Sequence, residues 1–293
     1  MASIYTHQSS NVFKTYLLMA LFLVFIGGIG YYFSYYYQSP AIFTFAIIFS
    51  LIMNMVSFWY SDKIALSITK ARPVKREEFF DLYTLTENLS IAAGLPSPRL
   101  YVIDDSAPNA FATGRDKDHA VIAVTTGLLE RLDRSELEGV IAHELSHIGN
   151  RDILLMSTVV VLVGMVAILS DILSRNMLFS GGSRRENGKG GALAIIGLVL
   201  IILSPIIATL IKLAISRRRE FLADASASLL TRYPEGLAKA LEKISTYSSP
   251  MRSASQATAH MFIANPFSSK SITSLFSTHP KVEDRIKALR NMA

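Results

Sequence analysis

The chain has 293 residues, 51% of them hydrophobic and only 18% charged, with a formal net charge of +6 and no cysteine. Both fractions depart from those of soluble globular domains in the direction of a membrane protein. The lack of cysteine excludes disulfides, a thiol nucleophile and a thiolate metal site, and the basic residues flank apolar stretches, which speaks against a nucleic-acid partner.

Taken in order, residues 16–37 ("YLLMALFLVFIGGIGYYFSYYY") and 41–60 ("AIFTFAIIFSLIMNMVSFWY") contain no charged residue. At about 1.5 Å per residue, each is long enough to cross roughly 30 Å of hydrocarbon. The first stretch is too long for the apolar part of a signal peptide. It ends in Tyr31, Tyr32, Tyr35, Tyr36 and Tyr37 and not in a small-residue cleavage site, so it reads as a retained span with an interfacial aromatic belt. Lys63, Lys70, Arg72, Lys75 and Arg76 follow the second stretch, whereas the "QSP" between the two holds no base. The positive-inside rule therefore places the N-terminal tail and residues 61–152 in the cytoplasm.

Residues 77–93 carry apolar positions at helical spacing and stop at Gly94. "RLYVID", "NAFATG" and "AVIAVT" are β-type runs separated by turn formers, and are expected to form a three-stranded meander. "RSELEGVIAHELSHIGNRD" reads as a helix capped by Ser135 with Glu138 three residues on. Nothing between Ser135 and Asp171 forces a break, although Gly149 can allow one, so this helix is expected to run into a third span at 153–173. A glycine-rich link at 181–191 leads to a fourth span at 192–215, which contains Pro205. "SRRREFLADASASLLTR" is again helical. "PEGLAKALEKISTY" and "HPKVEDRIKALRNM" are amphipathic helices entered through a proline, and 248–278 between them reads as a long loop. His7, His119 and His260 lie outside any motif and read as surface or loop residues.

The expected fold class is thus an α+β membrane protein: four transmembrane helices and a mainly helical domain with a small β-sheet. Its divisions are an N-terminal hairpin at 1–60, a first domain part at 61–152, a second membrane hairpin at 153–215 and a second domain part at 216–293, and the motif and resemblance below make that domain an expected zincin-like catalytic one.

The chemistry centres on His143-Glu144-Leu145-Ser146-His147. Histidines at i and i+4 share one helix face, so both imidazoles can reach one zinc ion, and Glu144 can take a proton from water at the metal. Catalytic zinc needs a third protein ligand. Glu220 and Asp224, at i and i+4 on the helix after the fourth span, are candidates, because a membrane hairpin returns that helix to the side of the first. Spacing alone does not rank the two carboxylates. Arg175, Arg184, Arg185 and Lys189 in the link oppose Arg151, Lys212 and Arg217 to Arg219 at the hairpin's ends. The charge rule therefore leaves open whether these segments cross fully.

"AHELSHIGNRD", "SRRREFLADASA", "NAFATG" and "THPKVEDRI", interleaved with apolar stretches, resemble the HtpX-type membrane zinc metalloproteases, bacterial relatives of the CAAX prenyl endopeptidases. The resemblance covers nearly the whole chain. It implies a cytoplasm-facing endopeptidase of the bacterial plasma membrane, acting on misfolded or unfolded membrane-protein substrates under stress. It implies one Zn2+ per chain held by His143, His147 and Glu220, with Glu144 as the catalytic carboxylate. Asp224 then suits an acceptor for a ligand imidazole N–H. His279, with Arg285 behind it, becomes a candidate oxyanion donor. Asn109, Ala110 and Phe111 resemble a substrate-side strand, whose edge can pair with an extended peptide. An intramembrane protease is a poorer match, because the motif precedes its span and stands among Arg131, Glu136, Glu138 and Arg151. The alternative from another class is a membrane scaffold or chaperone subunit with a structural or inactive zinc site. Such a site has no use for Glu144.

Overall fold

A computed structural model of the chain describes residues 4–180, 216–267 and 280–292. The expected fourth span, the glycine-rich link and His279 lie outside the described residues.

Helices α1 (Ile4–Tyr36) and α2 (Pro40–Trp59) form a hairpin. Pro40 opens α2 at a position where no backbone N–H is needed. The hairpin's outer surface is apolar, with Leu21, Val24, Phe45 and Met55 exposed, and the five tyrosines of the expected belt are exposed at its turn. Among the described residues, α1 and α2 are the two helices long and apolar enough to cross a membrane. A third counts only if α6 (Arg134–Gly149) and α7 (Asp152–Ser180) are taken together as one span bent by 83°.

That bend corrects the continuous helix expected from the sequence. Arg151 adopts a left-handed φ of 56° and turns the chain between α6 and α7. Residues 153–166 of the expected third span are mostly covered by protein: Ile153, Leu155, Val159 and Leu162 are fully buried, and α7 packs on α1, α2 and α3 (Ser61–Ile68). An all-round apolar helix suits a protein core as well as lipid.

The sheet also departs from expectation. It has four strands, β1 (Arg72–Pro73), β2 (Arg99–Ile103), β3 (Ala110–Thr113) and β4 (Val121–Thr125), in the order β1-β2-β4-β3. β3 and β4 form the expected antiparallel pair, but β2 lies parallel to β4 and not beside β3. The connection at 104–109 is no tight turn. Asp105 ties it to another loop by accepting from the backbone N–H groups of Arg252 and Ser253 at 2.8 and 3.3 Å.

α4 (Phe80–Ala93) ends at Gly94 with φ 66°, as the sequence predicts. A short helix α5 (Thr126–Arg131) leads from β4 to α6. The α6 cap is Asp133, with Glu136 closing the box, and not Ser135 with Glu138. Glu136 is buried and also accepts from Lys243 Nζ at 2.6 Å, so tertiary contact chooses between two legible caps.

The C-terminal part supplies α8 (Arg217–Thr231), α9 (Pro234–Ser245) and α10 (Val282–Arg290). Gly139 and Gly236 let α6 and α9 touch backbone to backbone. A Cβ at Gly139 would lie 2.7 Å from the Leu237 N, and one at Gly236 would lie 2.6 Å from the Ser135 O. His260 is no surface residue: it is buried, its Nε2 3.1 Å from the Met156 carbonyl oxygen. His119 is exposed and pairs with Asp116.

Candidate metal centre

α6 is packed on nearly every side, so His143, Glu144 and His147 are buried with their helix. α8 lies against α6, its small buried residues Ala223 and Ala227 permitting a close approach. That contact brings Glu220 to the two histidines. The Nε2 atoms of His143 and His147 are 3.1 Å apart. Glu220 Oε2 is 3.8 Å from the first and Oε1 is 3.7 Å from the second. Ligands about 2.1 Å from a tetrahedral ion stand about 3.4 Å from one another, so the three side chains fit one metal ion.

The far side of each imidazole meets a carboxylate. His143 Nδ1 is 3.0 Å from Asp224 Oδ1, close in distance though off the line of a good hydrogen bond. His147 Nδ1 is 2.9 Å from Asp152 Oδ2. With the proton of each ring on Nδ1, both Nε2 lone pairs converge beside the Glu220 carboxylate, an arrangement that calls for a cation. The electrostatics agree. Burial opposes a charge on His147, yet Asp152 and Glu220 push it up to about 9, as a site that favours positive charge would. Burial, His147 and Arg285 hold His143 below its usual value against the pull of Asp224.

Glu144 faces the same space. It is buried, neither carboxylate oxygen has a hydrogen-bond partner, and burial followed by the nearby Glu220 raises it to about 7, while His147 pulls it down. A carboxyl poised near neutrality and free of protein donors is suited to exchange protons with a bound water.

Of the other expected residues, Asp224 and Arg285 form a buried pair. Arg285 donates to Asp224 from Nε at 2.8 Å and Nη2 at 2.7 Å, and to the Ile263 carbonyl from Nη1 at 2.8 Å. Its Nη1 is also 3.5 Å from Glu220 Oε2. Burial would raise Asp224, but the guanidinium holds it below the usual carboxylate range. The structure therefore places Arg285 on the ligand helix and its acids. Asn109 is buried and donates to the Ala264 carbonyl at 3.0 Å, anchoring the loop that crosses below. β3 is an edge strand. The Ala110 carbonyl already accepts from Ile263 N at 2.9 Å, and Phe111 stacks edge-on with Phe262, 5.2 Å between centroids.

Sequence reasoning missed Asp152. It stands five residues after His147, at the first position of α7, which brings it back beneath the imidazole once the chain turns at Arg151. An acid opening a long apolar run was the available signal. Asn11 and Gln8 of α1 and Arg219 of α8, which surround this junction, carried none.

A buried His-Glu-x-x-His helix met by a glutamate from a downstream helix defines a metallopeptidase of the two-histidine, one-glutamate kind, here joined to apolar membrane helices. Residues 76–293 match the model of peptidase family M48, and the chain belongs to that family. It is 47% identical over 295 residues to the "Protease HtpX homolog" of Caldanaerobacter subterraneus subsp. tengcongensis, covering 99% of this chain and 98% of that one. It is 41% identical over 288 residues to the protein of that name from Tropheryma whipplei, covering 98% of each. Among solved structures it resembles the crystal structure of S. mikatae Ste24p, with a TM-score of 0.51, 22% identity, and coverage of 94% of this chain and 66% of that one. This last likeness concerns the fold.

Proposed function

We propose that this membrane metallopeptidase is a zinc endopeptidase of the bacterial plasma membrane, cleaving misfolded or damaged membrane proteins on the cytoplasmic side. The observation that carries the reading is the convergence of His143, His147 and Glu220 beside a buried Glu144 without protein partners. Two imidazoles and a carboxylate suit zinc and leave a position open. When bound, the metal supplies Lewis acidity to water and to the scissile carbonyl. Glu144 accepts the proton from the attacking water and returns it to the leaving amine. The rigid packing of α6 and α8 holds these groups at fixed distances, so little reorganisation is needed during the reaction.

For substrate binding we assign the free edge of β3 at Ala112, next to the stretch closed by Ile263. An extended peptide adding there would be held by backbone bonds with little sequence preference, as suits damaged polypeptides of varied sequence. The bases after residue 60 support a cytoplasmic site.

The test is metal analysis of the purified protein with cleavage of an unfolded membrane substrate, with and without chelator. Zinc at about one per chain and chelator-sensitive cleavage are expected. Glu144→Gln should keep the zinc and lose cleavage; retained turnover would refute the mechanism, and zinc loss would move Glu144 into the coordination shell. Reporters fused after residues 60 and 230 should both face the cytoplasm. Opposite sides would separate Glu220 from the histidines.

A further inference from the structure

The N-terminal helix touches the metal centre. Asn11, buried in α1, donates from Nδ2 to Asp152 Oδ1 at 2.6 Å and also lies 3.1 Å from the Asn150 carbonyl oxygen. One turn earlier, Gln8 donates from Nε2 to the Gly149 carbonyl at 2.6 Å. Gly149 and Asn150 are the last turn of α6, where helix carbonyls have no partner within the helix. Asp152 holds His147 with its other oxygen at 2.9 Å. Asn11 thus reaches the candidate ligand through one side chain, that of Asp152, 141 residues away in sequence.

We propose that Asn11, supported by Gln8, is a positioning residue for the metal site. The first membrane helix fixes the α6–α7 turn and, through Asp152, the tautomer and orientation of His147. Three features set this apart from ordinary packing. Asn11 is a buried polar residue in the polar first turns of α1, and a buried amide without partners is costly. Its amide divides between the side chain that orients His147 and the carbonyl just before the turn. The turn itself places Arg151 in a left-handed conformation, which is uncommon for a residue with a β-carbon. Arg219 Nε is 3.8 Å from the same Asp152 oxygen, so Asn11 makes the shortest contact to it. The hairpin is then part of the site's scaffold as well as an anchor.

The inference rests on reading His147 as a metal ligand. The experiment is a double-mutant cycle on the full-length protein in detergent, with Asn11→Ala, Asp152→Ala and the pair, reading zinc affinity by competition with a chelator. The absorption spectrum of the cobalt-loaded protein is recorded in parallel, and His143→Ala serves as control. Loss of a partner that orients a ligand weakens metal binding by about 10–100-fold, and Asn11→Ala is expected to cost about 10-fold. In the Asp152→Ala background it should cost almost nothing, because its route to the ligand is gone. The cobalt spectrum of Asn11→Ala should shift, and Asn11→Asp, which sets two carboxylates face to face, should bind more weakly still. If the losses add, or if Asn11→Ala leaves affinity and spectrum unchanged while His143→Ala abolishes binding, Asn11 is a packing residue and the inference fails with the site intact. If His143→Ala retains full affinity, the site reading falls and takes the inference with it. Should Asn11→Ala fold poorly, Asn11→Leu, which keeps the side-chain volume and removes the amide, gives the same cycle.

Discussion

The two imidazoles of the centre are held in different ways, and the difference separates the two halves of the molecule. His143 leans on Asp224, whose carboxylate is gripped by two donors of a buried arginine from the C-terminal helix. His147 leans on Asp152, which receives a neutral amide from the first membrane helix and only a distant guanidinium at 3.8 Å. Burial, with His147 and Arg285 nearby, keeps His143 low against the pull of Asp224. His147 is driven up to about 9 despite burial, by Asp152 and also by Glu220 and Glu144. The catalytic domain supplies rigidity through an ion pair, and the membrane side supplies a more basic ligand.

The largest expected effect tests the assumption common to both clamps, that Glu220 completes the ligand set and Asp224 stands behind it. Glu220→Ala should bind no zinc at ordinary concentrations and should not cleave. Asp224→Ala should bind about 10–100-fold more weakly, and recover part of its activity when zinc is supplied in moderate excess. A chelator titration of both variants, with cleavage followed alongside, decides the matter. Weakened binding in Glu220→Ala and none in Asp224→Ala would reverse the two roles.

Next in size is the contrast between a charged and a neutral clamp. Arg285→Leu leaves Asp224 ionised and buried without its partner, which typically costs about 3–5 kcal/mol. Asn11→Leu removes a neutral donor from an acid that keeps His147 and Arg219 nearby, and should cost about 1–3 kcal/mol. Chemical denaturation of the two metal-free variants measures the difference. Equal losses would mean that the two carboxylates are held alike and that the comparison above is wrong.

These clamps also mark the limit of what the sequence discloses. Histidines four apart on one helix are a local pattern, legible because helical spacing alone puts them on one face. Glu220 and Asp224 were legible as a pair. Their ranking was not, since it depends on α8 turning Glu220 toward Nε2 and Asp224 toward Nδ1. Asp152 was hidden by the break before it. Read as a continuous helix, the chain would carry it away from His147 along the axis, and the left-handed Arg151 that returns it has no sequence signature, since it is not a glycine. Asn11 was hidden by distance along the chain. The same holds for the sheet, where each strand was legible from its β-type run but the parallel placement of β2 beside β4 depends on contacts of Asp105 with residues 252 and 253. His260 looked like a loop residue because its partner is a carbonyl on α7.

The smallest expected effect separates the clamps by pH in the metal-free protein. His147 has a folded value near 9 against an ordinary 6.5, so its stabilising contribution is complete below 6.5 and is lost as pH rises through 9. Glu144 has a folded value near 7 against 4.5. A proton bound more tightly in the folded state again favours folding at low pH, and that contribution is lost as pH rises from 4.5 through 7. Asp224 has the opposite sign: its depressed value gives stability present above 3.8 and lost as pH falls below it. His143, held low, has the opposite sign to His147 and costs stability as pH falls below 6.5, so chelator-treated protein should be most stable near that pH, with a thermal midpoint, followed by far-UV circular dichroism, that declines toward pH 9. Glu144→Gln should flatten the lower part of that decline. Asp152→Asn should flatten part of the upper decline, because the largest contribution raising His147 is gone while Glu220 and Glu144 remain, whereas Asp224→Asn should leave the upper part in place. A midpoint that climbs between pH 6.5 and 9 in the metal-free protein would show that His147 gains no proton on folding. The more basic imidazole would then not be the one that faces the membrane helix.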